Sequence, residues 1–113
     1  METRAPPSRR LLEDRSTALF LSAASIWEIA VKMGLGRLEL PAEPSIYVPR
    51  RIADFDISVL DVTMEHALAV YGLPPHHADP FDRMIIAQAR LERMIIATGD
   101  RVFRKYGTDV VPL

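Results

Sequence analysis

The sequence predicts one α/β domain, a parallel sheet with helices on both faces, and three observations carry that prediction. Short apolar runs of strand length alternate with longer segments of helical period, the pattern of βαβ units. The four strand candidates, TALFLS (17–22), FDISVLDV (55–62), MIIAT (94–98) and residues 109–111, are each separated from the next by at least one helix candidate, as parallel pairing requires. The length of 113 residues, with 49% hydrophobic and 26% charged, suits one core and leaves no room for a second. In an open parallel sheet, ligands bind beyond the carboxyl ends of the strands, which is where chemistry is sought below.

In order along the chain, residues 1–10 (METRAPPSRR), with Pro6-Pro7 and no apolar periodicity, are expected to form a disordered or extended lead-in, and the domain proper occupies 11–113. SRRLLED (8–14) reads as a short helical fragment. Strand 17–22, apolar between polar ends, reads as buried. It feeds a helix over 23–35 that is apolar nearly all round, through Ala24, Ile26, Trp27, Ile29, Ala30, Val31 and Met33, so it is expected to be mostly buried. Gly34 and Gly36 end it. Pro41, Pro44 and Pro49 allow at most a short helix over 45–53, interrupted near Pro49. The alternation in 55–62 predicts the second strand, and Thr63 then caps a helix to about Tyr71, with Glu65 in its first turn and Gly72 after its end. LPPHHA (73–78) is loop. Asp79 ahead of Pro80 starts a helix over 79–93 with Phe81, Ile85, Ala89 and their neighbours forming its apolar face. Strand 94–98, a short helix over 101–106 and strand 109–111 complete the chain.

Composition excludes several classes. Cysteine is absent, so there is no disulfide framework and no thiolate zinc site. No apolar run approaches the roughly 20 residues of a membrane span, and the N-terminus lacks the apolar centre of a secretory signal, so a soluble, cytoplasmic protein is expected. A net charge of −1 argues against holding nucleic acid by bulk charge. Of the 14 basic residues only Lys32 and Lys105 are Lys; Arg is the better bidentate phosphate partner, but composition bias is the preferred explanation of its excess.

Carboxylates collect at three places. Glu28 shares a narrow stripe with Ser25 and Lys32 on an otherwise apolar helix; an ordinary Glu28–Lys32 pair explains it as well. Asp79 and Asp82 stand one turn apart in DPFD, where capping and the helix dipole account for both. Asp100 follows strand 94–98 and also suits a cap. Taken together, acids brought to one sheet edge repel unless a cation neutralises them, and oxygen donors suit Mg²⁺ or Mn²⁺ rather than zinc. A metal-dependent phosphodiesterase is the chemistry such a cluster supports. His76 and His77 read as surface loop, and His66 as half-buried or exposed rather than catalytic. A receiver-like phosphorylation pocket would need a Lys near the acids, and none lies between Lys32 and Lys105.

Four blocks carry a resemblance: LSAASIWEIAVKMGLGRLEL (21–40), HAL (66–68), LPPHHADPFDRMIIAQA (73–89) and IIATGDRVFRKYG (95–107). From about Leu11 onward the chain resembles the PIN-domain family, in particular its VapC-type ribonuclease toxins. The resemblance implies a three-layer α/β/α fold, endoribonuclease cleavage of RNA phosphodiester bonds with Mg²⁺ or Mn²⁺, a VapB-like antitoxin and a homodimer. It places the metal-binding acids at Glu28, Asp82 and Asp100, with Asp79 as a further acid of the DPFD subgroup, and small polar supports at Ser22, Ser25 and Thr98. Arg83, Arg101 and Arg104 are candidates to grip the RNA backbone. The sequence departs from the family pattern at its start, where an apolar strand ending in Asp is expected and absent. An N-terminally truncated domain of impaired activity, with unpaired strand edges and an exposed apolar groove, is the corresponding expectation. The alternative is a non-catalytic module that binds an antitoxin helix around Trp27 and Tyr47.

Overall fold

A computed structural model describes residues 16–75, 79–98 and 110–112. They fall into two compact units, Ala18–Val62 and the described residues outside it. The expected helical fragment at 8–14 and the short helix at 101–106 lie outside the described residues. Among the described residues no helix is long and apolar enough to cross a membrane.

In the first unit, β1 (Leu19–Ser22) runs straight into α1 (Ala23–Gly34). Ser22 ends the strand by becoming the helix cap, its Oγ accepting the Ala24 N–H at 3.0 Å. At the other end Gly36 takes φ +71°, its N–H donates to the Met33 carbonyl, and the Arg37 N–H donates to that of Lys32. That pair of bonds is a Schellman close, and it needs a residue that tolerates the left-handed region at Gly36.

Next comes α2 (Pro44–Asp54), in which Pro44 occupies the first helical position. The expected interruption at Pro49 does not occur; the helix runs through it. The proline ring already holds a helical φ, and the one bond it forfeits is to the Ser45 carbonyl, on an exposed stretch where water can serve instead. Phe55 caps α2 and Asp56 turns at φ 52°, so β2 (Ile57–Leu60) starts two residues later than the alternation suggests. β1 and β2 pair in parallel, from Leu19 opposite Ile57 to Ser22 opposite Leu60.

Burial in this unit falls short of the sequence expectation. Ala24 is the one buried residue of α1, Trp27 is 63% exposed, and Phe20 of β1 is also exposed. Within the unit α1 packs chiefly on α2 and β1, and the side of this apolar helix that carries Trp27 stays exposed.

The second unit contains α3 (Met64–Ala69), a 3₁₀ turn (Val70–Gly72), α4 (Pro80–Glu92), β3 (Ile96–Thr98) and β4 (Val110–Pro112). Thr63 caps α3 as predicted, but the helix tightens into the 3₁₀ turn over its last residues. β3 and β4 pair in parallel from Ile96 opposite Val110. The core consists of Leu73, Ile86, Ala87, Ala89 and Ile96, with Ala69, Val70, Ile85 and Met94 packed against it. Its most enclosed member, Ile86, is a neighbour of Ile85 on the predicted apolar face of α4, which is buried over four successive positions from Ile86 to Ala89. α4 ends on Arg93 in the left-handed region (φ 56°), with the Met94 N–H reaching the Ala89 carbonyl at 2.8 Å.

Candidate active site

The first turn of α4 holds two of the predicted acids. Asp79 has extended backbone and its Oδ1 accepts the N–H groups of Phe81 at 2.9 Å and Asp82 at 3.1 Å. With Pro80 behind it, this is the Asp-Pro helix start that the sequence predicts. Asp82 stands at the third helical position, half-buried, where the positive end of the helix favours its charge. The cap therefore fixes one carboxylate and places the second a turn away on the same rigid element.

Glu28 lies midway along α1 in the other unit. Its Oε2 is 2.7 Å from Lys32 Nζ, one helical turn on, and its side chain is only 19% exposed. The ordinary reading of that stripe is thus present in the structure. Lys32 is half-exposed on a flexible stem, so the ammonium is displaceable by a stronger cation. Ser22 gives its Oγ to the α1 cap, and Ser25 is half-buried on the first turn of the same helix. Thr98 closes β3. Asp100, Arg101, Arg104, His76 and His77 lie outside the described residues. Within neither unit do three described acidic or histidine side chains gather at metal-binding spacing.

Arg83 has a different occupation from the one expected. Its Nη1 donates to the Pro74 carbonyl at 3.1 Å and its Nη2 to those of Val70 at 3.2 Å and Leu73 at 3.3 Å. The guanidinium is turned back onto the chain segment that precedes α4.

The exposure expected of His66 is corrected by the structure. His66 is 1% exposed rather than half-buried or exposed, and it sits at the centre of a polar network. Thr63 Oγ1 accepts the His66 N–H at 3.2 Å while His66 Nδ1 accepts the Thr63 N–H at 3.1 Å, a reciprocal capping box. Gln88 Nε2 approaches the same Nδ1 at 3.3 Å, and His66 Nε2 lies 2.8 Å from Glu92 Oε1. A backbone N–H can only donate, so Nδ1 accepts and the ring proton sits on Nε2, donated to Glu92. The Thr-x-x-His spacing is a legible signal of the capping box; the partners on α4 are not.

An apolar groove opens on the first unit, about 460 Å³, between Ile26 and Ala30 of α1, Val48, Pro49 and Ile52 of α2 and Val59 of β2. It uses the same two helices as the expected groove but neither Trp27 nor Tyr47.

Parallel two-stranded pairing, helices between the strands and an acidic helix start define a small α/β class, and the comparisons specify it. A family model of the PIN domain matches residues 2–108, and the chain belongs to that family. It is similar to the ribonuclease VapC16 of Mycobacterium tuberculosis, with 39% identity over 59 residues. The matched segment covers 52% of this chain and 42% of that protein, so the chain spans less than half the length of the relative.

Proposed function

We propose that this protein is a divalent-metal-dependent endoribonuclease of the VapC toxin type. The observation that carries the proposal is the Asp79-Pro80-Phe81-Asp82 turn: two carboxylates on one rigid helix start, in a PIN-domain chain similar to a ribonuclease. Glu28, Asp82 and Asp100 are the proposed metal ligands and catalytic acids, with Asp79 as a fourth acid. The donor set fits a hard cation: it is all oxygen, the chain has no cysteine, and the buried His66 is committed to Thr63 and Glu92. Mg²⁺ or Mn²⁺ bound there supplies Lewis-acid polarisation of the scissile phosphate and of the attacking water.

The chain's own residues do the rest. The cap on Asp79 holds the first turn of α4 in place, so that Asp82 needs no reorganisation when RNA arrives. Ser22, Ser25 and Thr98 support the acids. Arg101 and Arg104 engage backbone phosphates as planar forks, positioning RNA without reading its sequence. Hydrolysis adds the water oxygen to phosphorus and breaks one P–O ester bond, the departing oxygen taking up a proton. A VapB-like antitoxin, a homodimer and a cytoplasmic setting complete the proposal.

The test is cleavage of a fluorogenic RNA with and without Mn²⁺, wild type against Asp82→Asn. Mn²⁺-dependent cleavage abolished by the substitution is the expected result; cleavage unaffected by it overturns the site. Co-purification with the product of the adjacent reading frame tests the antitoxin.

A further inference from the structure

We propose that Arg83 is a positioning residue: by bonding the carbonyls of Val70, Leu73 and Pro74 it fixes the first turn of α4 and hence the placement of the Asp79 and Asp82 carboxylates. This rests on the proposal that those carboxylates hold a divalent cation. The acceptors are the carbonyl of Val70, which opens the 3₁₀ turn and also accepts the Leu73 N–H, and those of Leu73 and Pro74 just beyond the turn, where helical bonding of the chain has ended. A guanidinium matches them because it presents several N–H groups in one plane at fixed spacing; an ammonium on a flexible stem does not.

The anchor is rigid. Leu73, whose carbonyl is one of the three acceptors, is buried in the core with Ile86. Arg83 itself is in the first turn of α4, and its own N–H closes the first backbone bond of the helix to the Asp79 carbonyl at 3.0 Å. One residue thus joins the capped turn, through its main chain, to the core-anchored segment, through its side chain. The Nη1 and Nη2 contacts turn the guanidinium toward these carbonyls, so an RNA phosphate would have to compete with them.

The experiment uses the full chain and Mn²⁺ alone, titrated by the electron paramagnetic resonance signal of the free ion, together with amide hydrogen exchange. Arg83→Lys keeps the charge and loses the fork. It is expected to weaken Mn²⁺ binding about 10-fold to 100-fold, as loss of a group that orients metal ligands does. The Phe81, Asp82 and Arg83 amides should exchange faster, while those of Ile86 to Ala89 stay protected. Arg83→Gln serves as a second variant, with circular dichroism confirming its fold; if charge alone mattered, it would bind Mn²⁺ more tightly than wild type and Arg83→Lys would match wild type, overturning the inference. So would a fall of about 0.7 in the salt slope of RNA binding in Arg83→Gln but not Arg83→Lys, the mark of one lost phosphate contact. Asp82→Asn separates the two levels. Loss of Mn²⁺ binding in Asp82→Asn with none in Arg83→Lys overturns the positioning role alone; no loss in either overturns the metal site as well.

Discussion

His66 Nε2 stands 2.8 Å from Glu92 Oε1 while its Nδ1 accepts the Thr63 N–H, so one buried imidazole ties the start of α3 to the last residue of α4. The two ends of that link are unequal in worth. Glu92 is 43% exposed, and its half of the bond competes with water. The Thr63 side closes a reciprocal cap at a helix start, where the first N–H groups have no intrahelical partner.

Substitution should expose the asymmetry. His66→Ala leaves a cavity and removes the acceptor that the Thr63 N–H and Gln88 Nε2 share, and should cost about 2–4 kcal/mol in urea unfolding. Glu92→Gln, which still accepts from Nε2, should cost less than about 1 kcal/mol. Equal losses for the two variants would show that the Glu92 bond, rather than the cap, dominates.

Asp79 performs two tasks that one substitution can separate. Asn caps a helix as well as Asp does, so Asp79→Asn should leave the melting temperature nearly unchanged while removing the negative charge from the proposed metal site. Asp79→Ala should lose both, with about 1 kcal/mol of stability. Mn²⁺-dependent RNA cleavage measured beside thermal unfolding distinguishes the two effects; full cleavage by Asp79→Asn would restrict this residue to capping.

The helix closures at Gly36 and Arg93 make an opposed pair. A Cβ at Gly36 would meet nothing within 4 Å, so the cost of Gly36→Ala is purely the left-handed backbone, about 1 kcal/mol. Arg93 already bears that cost, and Arg93→Gly should be neutral to stabilising by about 0.5 kcal/mol, because the relief is partly offset by the greater freedom of glycine in the unfolded chain. Denaturant midpoints of the two variants should move in opposite directions or, for Arg93→Gly, not at all.

Pro49 interrupts a bond ladder without ending the helix. Pro49→Ala should restore the bond to the Ser45 carbonyl and raise stability by about 1–2 kcal/mol, less than the full interior proline penalty because the unfolded chain gains freedom too. A loss of stability would mean that the ring contributes more to the apolar groove it lines than it costs the helix.

The legibility of the sequence varied with how local each interaction is. α4 could be read almost to the residue because Asp79 and Pro80 act within one turn. The extent of α2 could not, since the pattern shows that Pro49 lacks a donor but not that the matching carbonyl faces water. Burial of α1 was overestimated for the opposite reason: hydrophobicity is a property of the helix, whereas burial depends on what lies against it. Of the candidate site, the cap at Asp79 and the Glu28–Lys32 pair were legible from spacing. The Arg83 clamp and the His66–Glu92 link were not, because their partners are fixed by how α3, the turn and α4 meet.

The strand registers also impose an order in time. The loop closed when Leu19 meets Ile57 is nearly three times as long as the one closed when Ile96 meets Val110. Closure entropy grows with the logarithm of length, which sets the longer loop about 0.9 kcal/mol behind. Helices can form within microseconds, before either pairing, and the β3–β4 contact can follow with little search. On refolding from denaturant the β1–β2 contact therefore closes after β3–β4, and until it does the chain carries the apolar faces of Leu19–Ser22 and Ile57–Leu60 unpaired, the interval in which it is most open to aggregation.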